Sequence, residues 1–116
     1  MWEFTRPDAI QVLHDKNAVR SLARYFDVFQ NRKQARCLIA KKISAKFTEG
    51  DSIQKLWQIH DKLTTEYYEV EKQIDAGKIK FEELSIPEKS YLDLKIEITK
   101  RLLENCCLCV RRCGIN

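Results

Sequence analysis

The feature that most constrains the fold is an uninterrupted apolar seam between two glycines, Gly50 and Gly77. Apolar or weakly polar side chains recur there at alternating steps of three and four residues, which gathers them on one helical face. At about 1.5 Å per residue, a helix over residues 51–76 would be about 39 Å long. Asp51 would cap its start, with Gln54 at the reciprocal position, and Gly77 would close its end. The seam consists of Ile53, Leu56, His60, Leu63, Tyr67, Val70 and Ile74.

A seam of this length needs a partner along most of the helix, and two partners fit the sequence. The region from Ala18 to Phe47 also shows helical apolar spacing, so an intramolecular helical hairpin is the favoured arrangement. The alternative is a homodimer in which two copies of the long helix pack together.

Glycine and proline are scarce, with three and two residues in a chain of 116. An all-β chain would need a turn signal roughly every 8 to 12 residues, so a sandwich or a barrel is excluded. Helical spacing also occurs over residues 8–14, 18–29, 32–47 and 85–105, and whether the second and third of these are one helix stays open. The sequence therefore predicts an all-α fold: an antiparallel helical bundle of four to five helices, with one long central helix and an irregular cysteine-rich C-terminus.

The predicted organisation has three parts. Residues 1–84 form the bundle, residues 85–105 form a helix that starts near Pro87 and packs on the bundle or leads out of it, and residues 106–116 are cysteine-rich. No apolar run approaches the roughly 20 residues of a membrane helix, and the first residues do not resemble a secretory signal. A reducing, cytoplasmic compartment is the resulting expectation.

A basic stretch in residues 32–46 is a candidate for nucleic-acid binding, because phosphate contacts need basic side chains and the chain carries a net charge of +4. Basic and apolar positions are not segregated there, however, and no recognised nucleic-acid motif accompanies them. We therefore favour a solvated helix face and regard nucleic acid as an unlikely partner. The stretch contains Arg32, Lys33, Arg36, Lys41, Lys42 and Lys46.

Neither histidine is a strong candidate for a metal ligand. His60 falls on the seam, where a core or boundary histidine is the ordinary outcome, and His14 lies at a predicted helix end. Trp57, Tyr67 and Tyr68 most simply serve packing. No nucleophile elbow, P-loop or dinucleotide fingerprint occurs, so the sequence predicts no catalytic residues.

Four of the five cysteines lie within eight residues near the C-terminus. Their spacing, Cys106-x2-Cys109-x3-Cys113, lets three thiols converge on one metal ion or cluster. Thiolates are soft ligands that favour zinc and iron–sulfur iron. A closed zinc site needs a fourth ligand, for which Cys107 and Cys37 are the candidates within the chain. The alternative is a cysteine-rich terminus that binds no metal.

Residues 105–116 resemble the N-terminal cysteine signature of the pyruvate formate-lyase activating-enzyme-like radical SAM proteins, a pattern of the form C-x-L-C-x-R-R-C-G-V-N/D-R. The match places Cys106, Cys109 and Cys113 at the family's cysteine positions. The radical SAM cluster motif, C-x3-C-x2-C, and the barrel that binds S-adenosylmethionine are missing from the chain. The resemblance therefore implies an N-terminal accessory region that carries part of an auxiliary iron–sulfur or zinc site, without catalysis of its own.

On this interpretation the chain is a fragment, a split-gene product or a remnant. Its expected partner is a downstream radical SAM domain, in the same protein or as a separate chain, and S-adenosylmethionine would bind only with that domain. The rival hypothesis is a small helical protein–protein interaction module in which the cysteines are incidental. Nucleic-acid binding through residues 32–46 is the weakest alternative.

Overall fold

The protein consists of one long helix and several shorter ones. A computed structural model describes residues 7–111, and no β-strand occurs in that range. The predicted all-α class is confirmed, with six α-helices in these residues where the sequence predicted four to five. The elements are α1 (Pro7–His14), α2 (Lys16–Ser21), α3 (Ala23–Phe29), α4 (Arg36–Ala40), α5 (Ile53–Asp75), a 3-10 turn (Phe81–Glu83) and α6 (Tyr91–Glu104).

The long helix α5 has well-defined caps at both ends. The Ser52 side chain accepts a hydrogen bond from the Lys55 amide at 3.3 Å, so Ser52 is the N-cap. The prediction of Asp51 as the cap was wrong by one residue, because its carboxylate instead accepts from the Thr48 amide at 2.9 Å. Gly77, with a φ of 76°, closes the helix in the left-handed conformation as predicted.

The helix that packs along the seam of α5 is α6. Thr64 of α5 meets Tyr91 at the start of α6, whereas Arg101 near the end of α6 donates to the carbonyl of Asp51 just before α5 begins. The two helices are therefore antiparallel. The sequence predicted an antiparallel bundle, but it placed the region 18–47 along the long helix and not this last helix. The shared core consists of Ile39, Ala40, Ile43, Ala45, Phe47, Leu56, Tyr67, Tyr91, Leu94 and Ile98.

The predicted helix over residues 32–47 was largely wrong. Only Arg36–Ala40 is helical. Residues 41–43 form a turn and a bend, and residues 44–48 form an extended segment that starts with a bridge between Ser44 and Ser90. Ile43, Ala45 and Phe47 are buried while Ser44 and Lys46 are exposed, which is the alternation of a strand and not of a helix. The sequence predicted residues 18–47 as the partner of the long helix. Of these, only α4 and residues 43–47 after it contribute buried side chains to the core of α5 and α6.

The extended segment is paired with the approach to α6. The Ala45 amide donates to the Lys89 carbonyl at 2.9 Å, and the Tyr91 amide donates to the Ile43 carbonyl at 2.8 Å. Helix α6 consequently starts later than predicted, at Tyr91 and not near Pro87. Ser90 and Asp93 form a capping box, in which the side chain of each accepts from the backbone amide of the other.

The chain forms two compact units, and the boundary between them lies between Gln34 and Ala35. The sequence did not predict this boundary. Helices α5 and α6 share a core and both belong to the C-terminal unit. In the N-terminal unit, the helix predicted over residues 18–29 is broken at Leu22, and Asn31 follows α3 with a φ of 60°. None of the helices in residues 7–111 is long and apolar enough to cross a membrane.

Substitution of Leu94 by alanine tests the shared core. Its side chain is 0% exposed, so Leu94→Ala should lower the free energy of unfolding by about 2–5 kcal/mol through lost burial and a cavity. Urea unfolding followed by circular dichroism measures the change.

Ile96 provides the matched control on the same helix. Because it is 46% exposed, Ile96→Ala should change the free energy of unfolding by no more than about 0.5 kcal/mol. Equal effects of the two substitutions would contradict the described packing of α6.

Candidate functional site

The cysteine-rich segment begins directly after α6. The helix ends at Glu104, Asn105 is its C-cap, and residues 106–111 are irregular. Cys106 is buried, with 7% of its surface exposed, whereas Cys107 and Cys109 are exposed. Cys113 lies outside the described residues. The end of the helix therefore anchors the first cysteine of the motif, and the next two face solvent.

Cys37, the other predicted fourth ligand, is not brought to this segment. It lies on α4 and lines a groove together with Tyr91, at the start of α6. Cys106 lies beyond the other end of α6, a helix of 14 residues that is about 21 Å long. Within residues 7–111, no group of three or more histidine, cysteine or acidic side chains could hold a metal ion. Of the two candidates, only Cys107 lies beside Cys106 and Cys109.

A second candidate site lies at the opposite end of α6. Helices α4, α5 and α6 surround an open groove of about 430 Å³, here called the tyrosine groove. Volumes of this size are typical of small-molecule sites. The groove is lined by Arg36, Cys37, Ala40, His60, Thr64, Tyr67, Tyr68, Tyr91, Leu92 and Lys95.

His60 is the centre of a polar network in this groove. The Lys95 ammonium lies 2.9 Å from its Nε2 atom. An ammonium can only donate, so Nε2 accepts and the neutral ring carries its proton on Nδ1. The Thr64 hydroxyl donates to the His60 carbonyl at 2.8 Å and lies 2.6 Å from the Tyr91 hydroxyl. Because the Thr64 proton is already used, the Tyr91 hydroxyl donates to Thr64.

The environment of His60 favours its neutral form. Burial, followed by the charge of Lys95, lowers the pKa of His60 below its ordinary value of 6.5. The Asp61 carboxylate acts in the opposite direction and is the weaker influence, since its Oδ1 atom is 3.7 Å from Nδ1 and its side chain is 82% exposed. The buried Nδ1 atom has no hydrogen-bond partner among the residues described.

Arg36 and Glu71 form a charge-balanced pair beside the groove. Arg36 Nε donates to Glu71 Oε2 at 3.1 Å, and Nη2 donates to Oε1 at 3.3 Å. The Tyr67 hydroxyl donates to Oε2 at 2.5 Å. Glu71 is only 8% exposed, so these hydrogen bonds compensate a carboxylate that is largely removed from water.

The basic stretch does not form one helical face, because only residues 36–40 of it are helical. Several of its cations have partners within the chain. Arg32 and Lys33 both pair with Asp27, at 2.7 and 3.5 Å. Lys42 donates to the Phe81 carbonyl at 2.8 Å and lies 3.7 Å from the centre of the Phe81 ring.

The tyrosine groove was missed by sequence reasoning, which assigned His60 and the tyrosines to packing. A signal was present within each helix. His60, Thr64 and Tyr67 recur at steps of four and three on α5, and Tyr91 and Lys95 are four residues apart on α6. No pattern within one helix reveals that the two sets face each other.

Comparison with known proteins identifies one similar sequence of greater length. A stretch of 95 residues, 82% of this chain, is 35% identical to Uncharacterized protein MJ0674 of Methanocaldococcus jannaschii. The match covers 26% of that relative, so the chain spans about a quarter of the relative's length. No family model matches the sequence, and no solved structure matches it.

The lowered pKa of His60 predicts a specific dependence of stability on pH. The neutral form is favoured in the folded state, so its contribution to stability is complete above pH 6.5, the ordinary value. It is lost as the pH falls below 6.5 and through the folded-state pKa, because the unfolded chain then binds more protons. The free energy of unfolding should therefore be smaller at about pH 5.5 than at about pH 7.5.

Urea unfolding at the two pH values checks this expectation. His60→Gln should remove most of the difference, because glutamine does not titrate and its side-chain oxygen can accept from Lys95. His14→Gln is the matched control and should retain the difference. An equal difference in all three proteins would exclude His60 as its source.

Proposed function

We propose that this chain is the helical N-terminal accessory region of a longer radical SAM protein of the pyruvate formate-lyase activating-enzyme type. In this proposal Cys106, Cys109 and Cys113 supply part of an auxiliary iron–sulfur or zinc site. The observation that carries the proposal is the Cys-x2-Cys-x3-Cys-Gly signature that follows α6.

The local structure of the cysteine segment supports a ligand role. Sulfur atoms at a spacing of two residues converge on one ion when the backbone bends between them. The chain leaves the helix at Asn105, before the first cysteine, and bends at Leu108 and Cys109. Cys106 is fixed by burial at the helix end, so the loop that follows has a defined starting point. Thiolate donors suit zinc and iron–sulfur iron, and Cys107 remains the candidate for a fourth ligand.

A bound metal ion or cluster would mainly fix the conformation of the cysteine segment. Zinc would cross-link the cysteines structurally, and an iron–sulfur cluster would add electron-transfer chemistry. The chain's own contribution is to hold the ligands at the end of α6, and catalysis would require the remainder of the protein. The relative that matches this chain over 26% of its own length is compatible with such a modular arrangement.

An interaction module is the second candidate function, favoured by exposed apolar groups in the N-terminal unit. No side chain among residues 8–34 is buried. Val12 and Leu22 line an apolar depression of about 330 Å³, together with Tyr25 and Phe26. Leu22 is 46% exposed and Tyr25 is 61% exposed. Such a surface is typical of a protein–protein contact site, and here we take a second copy of the chain as its partner.

Metal analysis tests the first proposal. After anaerobic purification, we expect the chain, or a version extended past Asn116, to contain iron with sulfide, or zinc, in near-stoichiometric amount. The variant with serine at Cys106, Cys109 and Cys113 should retain less than about a tenth of it, because serine does not replace a soft thiolate ligand.

Cys37→Ser is the matched control and should retain the metal, since Cys37 lies at the other end of α6. Cys107→Ser determines whether this neighbour is the fourth ligand. Absence of bound iron and zinc from both the chain and its extended version would remove the ligand claim.

The interaction module predicts a different set of results. Replacing the exposed Cys107 and Cys109 with serine should then leave the free energy of unfolding within about 0.5 kcal/mol of the parent value. Leu22→Ser combined with Tyr25→Ser should abolish concentration-dependent association in sedimentation velocity runs, because both remove exposed apolar surface. A parent chain that stays monomeric at all concentrations would argue against self-association through this surface.

A further inference from the structure

The tyrosine groove contains a lysine whose charge is not balanced by a carboxylate. The other cation of the lining, Arg36, makes two hydrogen bonds with Glu71. Lys95 forms no ion pair with any described residue, and its neighbours are the His60 ring and the Tyr91 ring. The groove therefore carries a positive charge at Lys95.

The neighbours of Lys95 position the ammonium without neutralising it. Nζ donates one hydrogen bond to His60 Nε2 at 2.9 Å and lies 4.5 Å from the centre of the Tyr91 ring. An ammonium has three N–H donors, so donor capacity remains for another acceptor. His60 is itself held in place, since its ring lies 5.2 Å from the ring of Trp57 and 5.3 Å from that of Tyr91.

The rest of the lining suits a flat, apolar body. Tyr67, Tyr68 and Tyr91 present aromatic rings, while Ala40 and Leu92 present aliphatic groups. Tyr68 is 54% exposed and its ring stands edge-on to that of Tyr67, with 5.4 Å between their centroids. An aromatic wall beside a fixed cation that has no carboxylate partner is a combination that selects both ring and charge.

From these contacts we propose that the tyrosine groove binds a small anionic molecule with a planar body, whose carboxylate or phosphate is held by Lys95. The ring of the ligand packs against Tyr68, and the Lys95 ammonium donates a hydrogen bond to an anionic oxygen of the ligand. The hydroxyls of Thr64 and Tyr91 pair with each other and hold the side of the groove next to His60. This site is separate from the cysteine segment and does not depend on the function proposed for it.

A purely structural Lys95 would behave differently from a ligand-binding one. Its aliphatic stem could cover apolar surface while the charge simply reaches water. In that case, changing Lys95 would alter stability without creating or removing a preference for anions. Binding selectivity therefore separates the two roles.

Binding of simple probes to the full chain tests the proposal. Phenyl phosphate and benzoate represent the two anionic head groups, benzyl alcohol is the uncharged analogue, and inorganic phosphate lacks the ring. Affinities come from titrations followed by two-dimensional NMR, which also locates the perturbed residues. At least one aromatic anion should bind saturably at the groove, about tenfold or more tighter than benzyl alcohol, as expected for one charge-assisted hydrogen bond.

Variants of one residue assign this preference. Lys95→Met should lower affinity for the aromatic anion about tenfold or more and leave benzyl alcohol unchanged, whereas Lys95→Arg should retain the preference. Lys100→Met, at an exposed position of the same helix, should bind as the parent does. Thermal unfolding curves verify that each variant is folded.

Several results would overturn the proposal. These are equal affinity for phenyl phosphate, benzoate and benzyl alcohol, unchanged anion binding in Lys95→Met, or perturbations that map outside the groove. Equal binding of inorganic phosphate and phenyl phosphate would reject the planar body. If Lys95→Met is unfolded, loss of anion preference in a folded Lys95→Arg would also contradict it, because arginine keeps the charge.

Discussion

The antiparallel contact between α5 and α6 sets the position of the other features of the C-terminal unit. Leu56 of α5 and Leu94 of α6 are fully buried, and large apolar side chains in such contact tolerate little displacement without leaving voids. The backbone pairing of residues 43–45 with residues 89–91 fixes the point at which α6 begins. Since the helices then run in opposite directions, each residue of α6 faces a determined position along α5.

This register produces two chemically distinct regions at the two ends of α6. At its start, Lys95 faces His60, so a cation and a neutral imidazole meet beside aromatic rings. At its end, the helix presents Cys106 in a buried position and releases the next cysteines into an irregular segment. From Lys95 to the end of the helix at Glu104 is about 14 Å, so a ligand in one region does not need the residues of the other. Cys37 belongs to the first region by position, although its residue type suggested the second.

Local signals in the sequence were reliable where one interaction decides the structure. Gly77 ends α5 because only a residue without a Cβ adopts the left-handed conformation at little cost. The apolar steps of α5 were equally clear. Residues 41–47 were assigned wrongly because Ile43 and Phe47 are four apart, which fits a helix, while Ile43, Ala45 and Phe47 also alternate, which fits an extended chain. Pairing with residues 89–91 selected the second possibility, and that partner is distant in sequence.

The sequence by itself determined the all-α class, the long helix and the cysteine spacing after the last helix, since each depends on residues close together along the chain. The cysteine spacing also indicates which bound groups such thiolates favour, namely zinc or iron–sulfur iron. The tertiary structure decided which helix covers the seam, that Cys37 is remote from Cys106, and that His60 and Lys95 meet in a groove. These features depend on the register between two helices, and register is fixed by packing and backbone pairing between distant residues that no local pattern specifies.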